Sequence, residues 1–250
     1  MKRSLVLAYG AVSYAVFFGC LLYAIGFVGD FAVPKTVDRG GVATTPARAL
    51  LINGLLLALF ALQHSGMARG PFKRWITRYL PGAAERSTYV LASALALIAL
   101  YWQWRPMDGV VWSVSHPAAR AGLVALCAAG WAFMVVSTFM INHFDLFGLR
   151  QAWSHWRGRE PGDLGFRTPG FYNFMRHPIQ TGFLVAFWAT PHMTIGHFVF
   201  ALGCTGYILV ALRLEERDLT REFGGLYRSY RQRVHSFLPI RRYRAAVRWR

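Results

Sequence analysis

The stretch HPIQTGFLVAFWATPHMTIGHFVFALGCTGYILVAL, His177 to Leu212, decides the fold. It runs for 36 residues without one Asp, Glu, Lys or Arg. A helix needs about 20 apolar residues to cross a bilayer, so this run is long enough for two short passes. Pro191, His192 and Gly196 lie near its middle, where a turn belongs. Folded as a hairpin, the run brings Arg176-His177-Pro178 at its start beside Glu215-Glu216-Arg217 at its end. A histidine, an arginine and two carboxylates would then meet at one membrane surface.

Four further uncharged stretches precede it: Leu5 to Gly29, Ala49 to Ala68, Ser87 to Trp104 and Ala121 to Phe144. The expected architecture is therefore an all-α polytopic membrane bundle of about six spans, forming one domain over 1–250. Five is the alternative, if one run is interfacial or the long run is a single broken element. Composition agrees: of the 250 residues, 55% are hydrophobic and 16% charged, against about 25% charged in soluble domains. The first span is long, and no small-x-small cleavage site follows it, so it reads as a retained helix.

The net charge of +17 is unevenly placed. Lys2 and Arg3 precede the first span. Arg69, Lys73, Arg74, Arg78 and Arg86 crowd the second loop, and Arg150, Arg157, Arg159, Arg167 and Arg176 the fourth. The tail ends Arg241-Arg242-Tyr243-Arg244 and Arg248-Trp249-Arg250. The other loops are sparse. The positive-inside rule places both termini in the cytoplasm of a multi-pass protein of the bacterial inner membrane. Basic residues flanking apolar spans are explained by anionic membrane lipid, which removes the case for nucleic acid. Cys20, Cys127 and Cys204 lie inside spans with no metal or disulfide spacing and read as packing residues. Trp102, Trp104 and Trp112 fit an aromatic belt at the outer face. His192 and His197 read as ordinary interfacial histidines.

The loop from Asp145 to Phe171 carries Gly148, Gly158, Pro161, Gly162, Gly165, Pro169 and Gly170 and cannot be one long helix. It leads into the hairpin and is expected to cover the site. Beyond the hairpin, the last span should continue to Gly224-Gly225. Tyr227, Tyr230, Val234 and Phe237 then suggest an amphipathic helix ended by Pro239.

Candidate chemistry gathers at span ends. Pro178 starts a helix at the position that tolerates its missing N–H; Gly182, one turn on, allows a ligand or another backbone to approach. Glu215 and Glu216 are adjacent, so only one can face a given spot. His143 and Asp145 suggest a base and its orienter. His64 is an ionisable residue at membrane depth and a site candidate by default. Each also has a plain reading, as a polar helix end or a hydrogen-bonded core residue. No dinucleotide, nucleophile-elbow or metalloprotease motif is present in the sequence.

Arg176-His177-Pro178, Glu215-Glu216, Tyr227-x-x-Tyr230 and Phe237-Leu238-Pro239 together resemble the isoprenylcysteine carboxyl methyltransferase superfamily, over roughly 169–239. Gln180 stands where that superfamily has an aromatic residue, and Tyr172 aligns with its tyrosine ahead of Arg-His-Pro. Tyr23 to Gly29, Leu62-Gln63-His64-Ser65, Glu85 to Tyr89 and Asn142 to Gln151 resemble one branch nearly end to end, the bacterial methanethiol S-methyltransferases. The resemblance implies S-adenosylmethionine as cofactor, held by Tyr172, Arg176, His177, Gln180, Gly182, Glu215 and Glu216. It implies a small volatile thiol as substrate. His64, His143 and Asp145, which close a span or begin a loop on the hairpin's side, are expected to form the thiol end, with Arg150 positioning the loop that covers the site; no metal is expected. Another thiol, a lipid substrate, a membrane reductase and a non-catalytic membrane protein are the alternatives.

Overall fold

A computed structural model describes residues 2–162 and 165–239. The basic tail beyond Pro239 lies outside the described residues. The four early spans form α1 (Arg3–Gly29), α2 (Pro46–Met67), α4 (Gly82–Gln103) and α5 (Pro117–Ile141), with a short α3 (Gly70–Ile76) between α2 and α4. Then follow α6 (His143–Leu146), α7 (Leu149–Trp156), a 3₁₀ turn (Gly170–Asn173), α8 (Pro178–Trp188), α9 (Ile195–Phe223) and α10 (Gly225–Arg233). The sheet is confined to β1 (Val110–Ser113) and β2 (His192–Thr194), paired antiparallel.

Among the described residues five helices are long and apolar enough to span a membrane: α1, α2, α4, α5 and α9. The expected sixth is α8, and it has only 11 residues. At 1.5 Å per residue it covers about 16 Å, half of a hydrocarbon core. The extended segment after it, through β2, completes that leg. Length therefore gives five spans, the alternative count, while the hairpin itself forms, with His177 beside Glu216 (3.0 Å).

Short α8 holds its place by packing on α5. Gly182 and Gly130 lie at the contact: a Cβ on Gly182 would come within 2.7 Å of the Gly130 carbonyl, and one on Gly130 within 2.9 Å of the Gly182 carbonyl. Small residues let two backbones touch where lipid gives no hydrophobic drive. Gly182 thus serves another backbone rather than a ligand.

The two ends of the bundle differ. At the far end the 30–45 segment folds over the helices, with Asp30 accepting from Arg39 (2.7 Å) and Thr194 donating to Asp38 (2.5 Å). Trp104 is fully buried there, donating to the Val37 carbonyl (3.1 Å). It belongs to the core and not to a belt, whereas Trp102 is 72% exposed. His197 is likewise buried, its Nε2 donating to the Phe187 carbonyl (2.9 Å), and is not interfacial. At the other end the charged loops converge. Tyr9 meets Thr88, Arg69 pairs with Asp218, and Arg86 reaches the Leu146 carbonyl.

Replacing Gly182 by valine should lower stability by about 1–3 kcal/mol, the usual cost of overpacking. Thermal unfolding of the detergent-solubilised protein measures it. An unchanged melting temperature would show that the α5–α8 contact can open freely.

Candidate active site at the charged end of the bundle

Arg176 anchors the site end. Its Nε donates to Glu216 (2.8 Å), one terminal nitrogen to the carbonyls of Val234 (2.5 Å) and Arg231 (3.2 Å), and the other to Ser236 Oγ (2.6 Å) while lying 2.7 Å from Glu216 in an ion pair. A guanidinium has five N–H donors, and four of them go to these protein acceptors. Arg176 is therefore a clamp, its guanidinium committed to Glu216 and to residues 231–236. Around it, Arg176 N–H donates to His235 O (2.8 Å) and His177 N–H to Ser236 O (3.1 Å), so residues 234–236 run alongside 175–177. That pairing ends the last helix at Arg233, short of the expected Pro239. The turn into α10 relies on Gly224 at φ +54°, which a side chain would strain.

Glu216 is the counter-charge of the clamp. It accepts from Arg176 and His177 and lies 3.4 Å from Arg231. Tyr230 donates to the Tyr172 carbonyl (2.6 Å), fixing the turn ahead of the hairpin. Burial pushes the Tyr172 and Tyr227 phenols above their ordinary value and Tyr230 up to about 12, so all three stay protonated donors at neutral pH. Phe166, from the loop expected as a cover, packs on Phe223, Tyr227 and Tyr230.

Glu215 is different. It points about 100° away from Glu216 around α9. It is exposed, and among the described residues its carboxylate has no hydrogen-bond or ion-pair partner. His177, Glu216, Arg69 and Arg86 all act on it electrostatically, and it acts in turn on the phenols of Tyr89, Tyr172 and Tyr207. Glu215 is thus a free carboxylate between the hairpin motif and the ends of α2 and α4. Gln180 is also unpartnered among the described residues. The first intrahelical bond of α8 is Thr181 N–H to His177 O (3.0 Å), which leaves the amides of Ile179 and Gln180 ahead of it. A cavity of about 160 Å³ opens at the Glu216 side of the motif, lined by His177, Arg213, Glu216 and Phe237 among others.

His64 lies on the Glu215 side. Its Nδ1 faces Ser93 Oγ (3.0 Å) and its Nε2 the Tyr89 hydroxyl (2.7 Å). Phe60 stacks on the ring, and Tyr207 meets it edge-on.

His143 is wired in the same way but elsewhere. Its Nδ1 meets Thr138 Oγ1 (2.8 Å) and its Nε2 the Tyr14 hydroxyl (2.7 Å), and Phe139 stacks on it at 4.1 Å. Burial pushes its pKa down, holding it neutral. The expected orienter, Asp145, does not touch it. Arg150 (2.8 Å) and Gln151 occupy that carboxylate instead. Asn142, at φ +137°, breaks the chain between α5 and α6 and turns His143 into its aromatic box, away from Asp145. Arg150 also reaches the loop, donating to Gly162 O (2.8 Å). The structure therefore sets His177, Tyr172, Tyr89 and Tyr207 around the Glu215 carboxylate, with His64 attached through Tyr89, and leaves His143, Asp145 and Arg150 as a separate group. Sequence reading missed Tyr89 and Arg86 as members of this site. Their signal was their nearness to the end of a span and their place in the segment Glu85 to Tyr89 that carries the family resemblance.

Residues 50–239 match the NnrU protein family. A methanethiol S-methyltransferase of Mycobacterium tuberculosis is 56% identical over 96% of this chain and 98% of its own length. Methanethiol S-methyltransferase 2 of Bradyrhizobium diazoefficiens is 54% identical over 95% of this chain and 91% of its own. The chain belongs to this family. Rat nurim is a more distant relative, 30% identical over 86% of each chain. No solved structure matches the chain. The membership accounts for the resemblance of the hairpin motif and of the segments around Gln63-His64 and Asn142 to Gln151.

Replacing Glu216 by alanine would leave Arg176, whose side chain is 7% exposed, without its counter-charge. Breaking a buried pair in this way costs about 3–5 kcal/mol. The expected readout is faster hydrogen exchange across 225–236 and a lower melting temperature. Unchanged exchange there would disprove the clamp.

Proposed function

We propose that this protein methylates methanethiol to dimethyl sulfide, with S-adenosylmethionine as methyl donor, at the cytoplasmic face of the membrane. The observation that carries the reading is near-complete similarity to methanethiol S-methyltransferases, at 56% identity over 96% of the chain in one case. The residues present fit the cofactor. Bound there, it would supply an electrophilic methyl on a cationic sulfur.

Glu215 is the acceptor for a cation, because its carboxylate is free among the described residues while Glu216 is committed. Tyr172, Gln180 and the leading amides of α8 suit the polar and anionic parts, as a helix N-terminus suits a carboxylate. His177, Arg176 and Glu216 hold that surface in place; Gly182 contributes by seating α8 on α5. The thiol has its own requirement. A thiol near pKa ~8.5 is mostly protonated at neutral pH, so the site needs a proton acceptor, and His64 is the histidine on the Glu215 side. His143, Asp145 and Arg150 act by holding the α5–α7 turn and the following loop. Apolar helices let a small volatile thiol and its product pass through lipid, while the charged cofactor arrives at the basic end. Charge-rich loops at that end support a cytoplasmic placement.

Headspace analysis of membranes given methanethiol and S-adenosylmethionine should show dimethyl sulfide. Glu215→Gln should weaken cofactor binding at least tenfold and leave the melting temperature unchanged. Full-strength binding by that variant, or no product from folded wild type, would refute the assignment. In topology mapping, a reporter joined after Arg250 should be active only in its cytoplasmic form. One active only in the periplasm would invert the orientation.

A further inference from the structure

The hydrogen bonds around His64 favour Nε2 as its basic nitrogen. The Ser93 hydroxyl has one hydrogen, and it goes to the Tyr89 carbonyl (2.9 Å). In that arrangement Ser93 Oγ accepts from His64 Nδ1–H (3.0 Å). With Nδ1 protonated, a neutral imidazole has its lone pair on Nε2. That lone pair receives the Tyr89 hydroxyl hydrogen at 2.7 Å. His64 is therefore a base whose only accepting atom is occupied by Tyr89. Any proton that reaches it without rearrangement arrives through that phenol.

The surroundings of Tyr89 suit such a transfer. The Arg86 guanidinium lies over its ring, 5.1 Å from the centroid, and is held there by its bond to Leu146 O (2.7 Å). A fixed cation over the ring favours negative charge on the phenol oxygen. Glu215 acts on Tyr89 and on Tyr172 and opposes negative charge on either oxygen, so Tyr89 gives up its proton only as another arrives. The matching pair, His143 and Tyr14, lacks this setting. Phe139, Phe144 and Phe147 pack around His143, and burial dominates its electrostatics among the described residues.

We propose that Tyr89 is a catalytic residue that takes the thiol proton and passes its own proton to His64. The proposal rests on thiol methylation as argued above. In this step the S–H bond breaks, its proton going to the Tyr89 oxygen while the Tyr89 hydrogen moves to His64 Nε2. The thiol sulfur's electron pair forms the new S–CH₃ bond. The bond from methyl to the donor sulfonium breaks, and its electrons stay on the donor sulfur. The products are a neutral thioether, a neutral donor residue and an imidazolium at His64, which returns its proton to water.

The test is Tyr89→Phe in the full-length protein, with thiol turnover followed from pH 6.5 to 8.5. General-base assistance is worth 10²–10⁴-fold, so turnover at pH 7 should fall by about 100-fold or more. It should then climb close to tenfold per pH unit, as free thiolate replaces the relay, while the wild-type profile stays flatter. Cofactor affinity and melting temperature should match wild type. Nitrogen NMR of labelled His64 should show an Nδ1–H ring whose Nε2 signal shifts when the Tyr89 hydroxyl is removed. A variant with wild-type turnover overturns the proposal, as does one whose pH profile is merely lowered in parallel. Should Tyr89→Phe not fold, a fluorinated tyrosine at 89 keeps the bond but lowers the phenol's pKa. Its pH profile must shift towards acid, and an unshifted profile overturns the relay. Wild type that binds the cofactor but methylates no thiol at any pH would instead defeat the functional reading and take this proposal with it.

Discussion

The Glu216 carboxylate is the interaction on which the site end depends. It draws in Arg176 and His177 from the start of α8 and Arg231 from α10, so three segments far apart in sequence meet on one charge. Arg176 spends its remaining donors on the carbonyls and hydroxyl of 231–236, which converts an ion pair into a backbone seam. Charges in such surroundings are costly unless every donor and acceptor is matched. The matching explains why this arginine is buried. With Glu216 committed, its neighbour Glu215 is left outward and, among the described residues, unpaired.

The same rule, that a buried polar group must find a partner, shapes both histidine sites. His64 and His143 each place one nitrogen on a hydroxyl whose hydrogen is already given to a helix carbonyl, and the other on a tyrosine hydroxyl. Identical wiring does not mean identical chemistry. His143 sits in an aromatic box. His64 and Tyr89 sit beside Arg86 and Glu215, where moving a proton is coupled to fixed charges. Field, more than residue type, separates a packing histidine from a reactive one.

Residues alone determined much of the architecture. The uncharged runs ending at Gly29, Ala68, Trp104 and Phe144 became helices close to those bounds, because only a helix satisfies its backbone inside lipid. The charge-free stretch from His177 to Leu212 required a reversal, and its two ends do meet. What composition did not reveal was that α8 would be one half-length helix. Its depth is set by the glycine contact with α5 and by β2 pairing with β1, both made by distant chain.

At the site, residue types marked His177, Glu215, Glu216 and His64, because polar groups beside apolar runs stand out. Their division of labour was invisible there. Adjacent glutamates look alike in a sequence; a turn of 100° on α9 gives one to the clamp and leaves the other free. Asp145 lies two residues from His143, yet Asn142 redirects the chain and Arg150 takes the carboxylate. Tyr89 lies 25 residues from His64 and gains its role only where α2 and α4 touch. Sequence spacing fixes neighbours along one helix, but hydrogen bonds and charges between helices depend on where packing places their faces.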